Sequence, residues 1–212
     1  MVKEGYLFSA PLLVAGFVLL GLSRLTLKDP AWPGWVAGLC FFLALFVLYF
    51  FRDPHRHIPE DPSAVVSPAD GRVVEIIEET WEGKMGQRIS IFLAVWNVHV
   101  QRAPVAGTIR KIDYRPGKFF AAMRARASSE NEQNVFSIST PRGEIMFKQI
   151  AGWIARRVVS WKSPGDTVTR GERVGMIRFG SRVDIWLPSE AMIVVRKGQD
   201  VAGGSDILAQ WP

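Results

Sequence analysis

Long uncharged apolar stretches fill the first fifty residues, and short apolar runs broken by glycine and proline fill the rest. Leu7 to Leu22 gives 16 residues without a charge, and Trp35 to Phe51 gives 17. A helix needs roughly 17–25 such residues to cross a bilayer, so each run sits near the short limit. Between them, Ser23 to Gly34 is a turn-rich connector carrying Arg24, Lys28, Pro30, Trp32 and Pro33. The pattern predicts a helical hairpin that crosses or dips into a membrane and returns to its starting side, where Arg52, His55 and Arg56 meet headgroups. A signal peptide fits poorly, because the basic lead-in is only Lys3 beside Glu4 and a second apolar run follows soon after. Two buried core helices are the alternative reading of the same runs.

From Asp61 onward the texture changes. Strand-like runs appear at Gly71–Ile77, Arg88–Leu93, Gly107–Ile112, Asn134–Ile138, Glu144–Phe147, Val174–Phe179 and Ala191–Val195. Short strands at this spacing predict a barrel or sandwich; only Ala151 to Val159 has a short helical or mixed reading. Two turn segments, Ser67-Pro68-Ala69-Asp70-Gly71 and Ser163-Pro164-Gly165-Asp166, each lead into a strand. Such pairing resembles the barrel-sandwich domains of lipoyl and biotinyl carriers. The predicted fold is therefore mainly β, a barrel-sandwich-hybrid-like domain over 61–212 behind a membrane-associated hairpin and linker over 1–60.

Charge narrows the partners. The formal net charge is +6, with 18 Arg against 8 Lys. Arginine suits bidentate phosphate recognition, and no nucleic-acid module is present, so the balance points to anionic lipid rather than nucleic acid. The single cysteine, Cys40, excludes an intrachain disulfide and a cysteine-based metal cluster. His55-Arg56-His57 places two histidines at i, i+2 with no third ligand near, a poor zinc pattern; no metal is expected.

The chemistry gathers near the C-terminus. Ile177 to Asp184 reads as a strand interrupted by Gly180-Ser181. A glycine inside a strand marks a kink or a close backbone approach, and a serine hydroxyl there can attack the preceding glycine carbonyl, which no Cβ shields. Gly-Ser is also common in ordinary turns. His99 is the only histidine beyond the membrane-proximal part, and imidazole is poised near neutral pH for proton transfer; a strand histidine satisfied by hydrogen bonds is the structural alternative. Asp70 sits in a turn where an aspartate is favoured for its local bonds alone.

Six motifs in order sharpen this. Phe50-Phe51-Arg52-Asp53-Pro54, Ser67-Pro68-Ala69-Asp70-Gly71, Gly117-Lys118-Phe119, Asn131-Glu132, Ile150-Ala151-Gly152 with Ala155-Arg156-Arg157, and Phe179-Gly180-Ser181 resemble the short bacterial and archaeal form of phosphatidylserine decarboxylase. That resemblance implies a pyruvoyl enzyme. Ser181 would cut the chain after Gly180, giving a β chain of residues 1–180 and an α chain of residues 181–212 that remain together as a heterodimer, any higher oligomer being left open. Ser181 would become the pyruvoyl group, in place of pyridoxal phosphate. That group would form a Schiff base with phosphatidylserine in the membrane and release carbon dioxide and phosphatidylethanolamine. His99 would serve acid–base chemistry, and Asp70 would polarise a histidine during self-cleavage. Longer relatives carry a second histidine three residues after the one matching His99; this chain has Arg102 there. The implied location is the cell membrane, with the catalytic domain on its cytoplasmic face.

Three other readings remain open at this point. A lipoyl- or biotinyl-like carrier needs a lysine on a tight hairpin, and Lys84 in Glu82-Gly83-Lys84-Met85 is the candidate. An adaptor needs a coiled-coil insert, and no sustained heptad exists. A pyruvoyl decarboxylase of a soluble amino acid would share the chemistry but leave the hairpin and the arginine excess unused. Arg124, Arg126, Arg156 and Arg157 could hold a phosphate but need no role beyond surface charge.

Overall fold

The computed structural model describes residues 1–25, 32–121, 123, 126–153, 157–178 and 181–212. The chain divides into two compact units, Met1–Pro54 and His55–Pro212.

The first unit is a pair of helices, α1 (Lys3–Leu25) and α2 (Trp32–Phe50). At 1.5 Å per residue they are about 35 and 28 Å long, enough to cross a hydrocarbon core. Small residues face the partner helix: Gly5, Ser9 and Gly16 are buried on α1, and Ala37 and Ala44 on α2. The large apolar side chains point outward, with Leu7, Phe17, Trp35, Phe42 and Leu45 all exposed. A soluble core helix does the reverse, so the buried-core alternative does not hold.

The second unit is mainly β. Its strands are β1 (Ala64–Val66), β2 (Gly71–Trp81), β3 (Lys84–Leu93), β4 (Val100–Arg102), β5 (Gly107–Arg115), β6 (Gln133–Thr140) and β7 (Gly143–Ala151). There follow β8 (Arg157–Ser160), β9 (Thr167–Val168), β10 (Arg173–Arg178), β11 (Ser181–Pro188), β12 (Met192–Ile193), β13 (Asp200–Val201) and β14 (Ile207–Gln210). One short helix, α3 (Ala127–Glu130), precedes β6. An eight-stranded curled sheet runs β13-β2-β3-β11-β7-β6-β5-β9, and two three-stranded sheets, β4-β10-β8 and β1-β14-β12, complete the unit. Every pairing between named strands is antiparallel.

Alternation along the central strands builds the core. Ile89, Ile91 and Leu93 of β3 and Val183, Ile185 and Leu187 of β11 are fully buried on one face. Phe136 of β6 and Phe147 of β7 stack there with centroids 4.6 Å apart. Each such side chain contributes about 1.5–3 kcal/mol by leaving water. Of the segment Ala151 to Val159, read as helical or mixed, Ala151 and residues 157–159 are strand, and residues 154–156 lie outside the described residues. Ala151 ends β7 and β8 begins at Arg157, where pairing with β10 overrides local preference.

Candidate active site

Strand β11 lies between β3 and β7, with Ser181 opposite Leu93 on one side and Ala151 on the other. Side chains alternate along a strand, so Ser181 shares the core face with Val183, Ile185 and Leu187. It is fully buried, and its Oγ has no hydrogen-bond partner among the described residues. A buried hydroxyl without a partner is costly, on the order of 1–3 kcal/mol.

The chain changes sheets immediately before Ser181. Strand β10 ends at Arg178 as the middle of the β4-β10-β8 sheet, whereas β11 begins at Ser181 in the centre of the eight-stranded one. The single interrupted strand read over Ile177 to Asp184 is thus corrected. Two separate strands meet at a crossing, and Gly180 itself lies outside the described residues. Downstream of the crossing, β11 pairs with β3 and β7, β13 with β2, and β14 with β1.

His99 reaches this crossing by register. The segment 94–98 leaves Leu93, opposite Ser181, and delivers His99 beside β10, where the Ile177 N–H donates to the His99 carbonyl at 3.1 Å. His99 is fully buried. Its Nδ1 lies 2.9 Å from the Asn97 carbonyl oxygen. A carbonyl only accepts, so Nδ1 is the donor in this contact. The Asn97 side chain accepts from the Ala94 N–H at 2.8 Å and closes the turn.

Asp70 is engaged elsewhere. Both its carboxylate oxygens lie 2.9 Å from Arg56, and Oδ1 accepts the Gly203 N–H at 2.8 Å. No hydrogen bond joins Asp70 to His99 among the described residues. The link is indirect: the Pro68 carbonyl in the same turn accepts the Arg102 N–H at 2.9 Å, three residues after His99. Gly71 ends that turn at φ +146°, and a Cβ there would sit 2.2 Å from the Phe92 carbonyl oxygen, so only glycine closes it.

Three other motifs converge on the strand beside Ser181. Asn131 donates to the Ala151 carbonyl at 2.7 Å and to the Phe120 carbonyl at 2.9 Å, while its Oδ1 accepts the Phe120 N–H at 2.9 Å. Lys118 exchanges backbone bonds with Glu130 and Glu132, and a Cβ on Gly117 would meet the Glu130 carbonyl oxygen at 2.4 Å. The segment 117–120 is thereby clamped to the end of β7, directly across from Ser181. Sequence reasoning missed a buried amide chain nearby: Asn134 donates to Gln149 at 3.2 Å, and Gln149 to Gln101 at 2.9 Å, joining β6 and β7 to β4 of the other sheet. It also missed buried charges on the opposite face of β11, Arg182 and Asp184.

Of the phosphate candidates, Arg124 and Arg156 lie outside the described residues, and Arg157 is exposed on β8. No group of three or more metal-ligating side chains occurs among the described residues. A cavity of about 420 Å³ lined by Trp81, Lys84, Met146 and Trp186 opens at the far end of β11 from Ser181.

The sequence profile of the phosphatidylserine decarboxylase family matches residues 43–209. The chain belongs to the phosphatidylserine decarboxylase family. It is 51% identical over 181 residues to a phosphatidylserine decarboxylase proenzyme of Solibacter usitatus, covering 83% of this chain and 86% of that one. It is 46% identical over 208 residues to the protein of the same name from Desulfotalea psychrophila, covering 94% and 96%. A third such proenzyme, from Carboxydothermus hydrogenoformans, is 44% identical over 196 residues, covering 91% and 92%. Within this family member, Lys84 follows a two-residue turn with Glu82 at φ +48° and Gly83 at φ +79°. Arg102 donates through Nη1 to the Gly171 carbonyl at 2.9 Å.

Proposed function

We propose that this chain is a self-processing phosphatidylserine decarboxylase, with Ser181 as both the processing nucleophile and the source of a pyruvoyl group. The carrying observation is the buried Ser181 Oγ, without a hydrogen-bond partner among the described residues, where the chain passes from one sheet to another. Oγ attacks the Gly180 carbonyl, and the Gly180–Ser181 amide becomes an ester as its nitrogen takes up the hydroxyl proton. Elimination across Cα–Cβ of residue 181 frees the Gly180 carboxylate. Water then replaces the nitrogen, which leaves as ammonia, and residue 181 ends as a ketone. Both flanks are held by strands on either side, β10 by β4 and β8, and β11 by β3 and β7.

A pyruvoyl group at residue 181 supplies the carbonyl that receives the electron pair released as carbon dioxide departs from the substrate. His99, its ring oriented by the Nδ1 contact to Asn97, delivers the proton that replaces carbon dioxide at the substrate Cα. Asp70 supports processing through the turn it anchors with Arg56, because that turn holds Arg102 and so the strand that follows His99. Segment 117–120 and Asn131 hold the Ala151 side of Ser181 and exclude water there. Helices α1 and α2 anchor the protein to the cytoplasmic face of the cell membrane, where phosphatidylserine is presented.

Intact mass spectrometry of purified protein tests the reading. Two pieces ending at Gly180 and beginning at residue 181, the smaller one with a ketone that hydroxylamine traps, are expected. A single whole chain with a serine at 181 in material active on phosphatidylserine overturns it.

A further inference from the structure

Conversion of residue 181 would remove its nitrogen. Whatever hold the backbone N–H of residue 181 gives is then lost, and the new chain end is held by the β11 ladder and by the side chain of residue 182. The reasoning here rests on the self-cleavage reading above.

Arg182 is 4% exposed, on the face of β11 opposite to Ser181. Its Nε lies 2.6 Å from Asp184 Oδ1, a bond within its own strand. Its Nη2 lies 2.7 Å from Ser90 Oγ on β3 and 3.2 Å from Glu75 Oε2 on β2. Both of those partners precede residue 180. The remaining charges are matched: Arg88 lies 3.0 Å from Glu75 and 3.5 Å from Asp184, and Ser128 donates to Asp184 at 2.6 Å. A planar guanidinium fixes direction as well as distance when it reaches three acceptors.

We infer that Arg182 is the positioning residue that holds the newly made chain end after cleavage, tying the downstream piece to the upstream one through Glu75 and Ser90. In the uncut chain residue 181 is also held by its peptide link towards β10, so these bonds are redundant. In the cut protein they set where the reactive carbonyl stands, and a displacement of a reacting group by an ångström can cost about a hundred-fold in rate.

The test compares the wild type with the double variant Glu75→Gln, Ser90→Ala, each made also in a Ser181→Ala chain that stays whole. Glu75→Gln removes a charge and Ser90→Ala a hydroxyl, both of which also face Arg88, while the Arg182–Asp184 pair stays in place. Peptides covering 182–187 are expected to exchange amide hydrogen about ten-fold faster in the cut double variant than in the cut wild type, with no difference between the two uncut chains. A kcat lowered about ten-fold with KM unchanged is expected alongside. Equal exchange in the two cut proteins overturns the inference, as does equal acceleration in the uncut pair, which marks a purely structural role. If the double variant fails to fold, Glu75→Gln alone is measured against the same criteria, since its side chain is 41% exposed. A wild type recovered whole overturns the self-cleavage reading and this inference with it, whereas a cut wild type with equal exchange overturns the inference alone.

Discussion

Ile177 donates its backbone N–H to the carbonyl of His99 at 3.1 Å, four residues before the chain enters a different sheet at Ser181. The segment 94–98 that leads to His99 leaves β3 at Leu93, opposite Ser181. Strand register therefore sets the backbone positions of both residues relative to β10 and β11.

Ser181→Ala removes the only hydroxyl proposed to attack residue 180. A denaturing gel should show one polypeptide of 23.7 kDa rather than pieces of 180 and 32 residues (212 − 180), with no hydroxylamine-trapped ketone and no measurable decarboxylation.

His99→Gln keeps a polar side chain in a closed space but lacks the imidazole. Mature protein carrying it should lose about 10²–10⁴-fold in kcat, the usual worth of a general acid–base group. Single-turnover assays on phosphatidylserine vesicles measure this, and an unchanged rate removes His99 from the mechanism.

Asp70→Asn retains an acceptor for Gly203 but ends the two-oxygen pairing with Arg56. We expect self-cleavage to slow by about ten-fold or more while stability falls by only about 1–2 kcal/mol, the pair being partly exposed. A time course of cleavage set beside a urea midpoint separates the two effects.

Asp184 gives the stability a sign with pH. Burial pushes its carboxyl pKa up, but Arg182, Ser128 and Arg88 outweigh burial and hold it below the ordinary value of 3.8. A depressed folded-state pKa stabilises above the unfolded value and is lost as pH falls through the folded one. Stability from this group should stay level from pH 7 to about 4 and decline below that. Ser128→Ala should weaken the acid resistance and cost about 1.5–3 kcal/mol at pH 7, as read from urea unfolding at several pH values.

Phe42 points away from α1 and is 65% exposed, so its surroundings decide the effect of a charge. Phe42→Asp should cost about 2.5–3.5 kcal/mol if that face meets hydrocarbon, and the membrane-bound fraction after carbonate extraction should fall. An unchanged bound fraction contradicts the anchoring role.

Much of the fold was legible because one physical signal dominated each segment. The two helices follow from apolar length, and β2, β3, β5, β6 and β7 from short runs bounded by turn residues. Ser181 and His99 stood out as residue types with a chemical use. The crossing at 178–181 did not, because β10 and β11 are equally strand-like and only their partners, β4 and β8 against β3 and β7, separate them. Arg88, Arg182 and Asp184 read as solvated charges in an alternating strand; nothing local says that they are covered and neutralise one another. Asp70 carried a role assigned by resemblance, while its bonds to Arg56 and Gly203 depend on segments 14 and 133 residues away.

The place of β11 between β3 and β7 also orders events during biosynthesis. Its two neighbours are translated first and must wait for the strand that fits between them. Until β11 emerges and docks, β3 and β7 each keep an open edge, so this sheet closes late and through contacts distant in sequence.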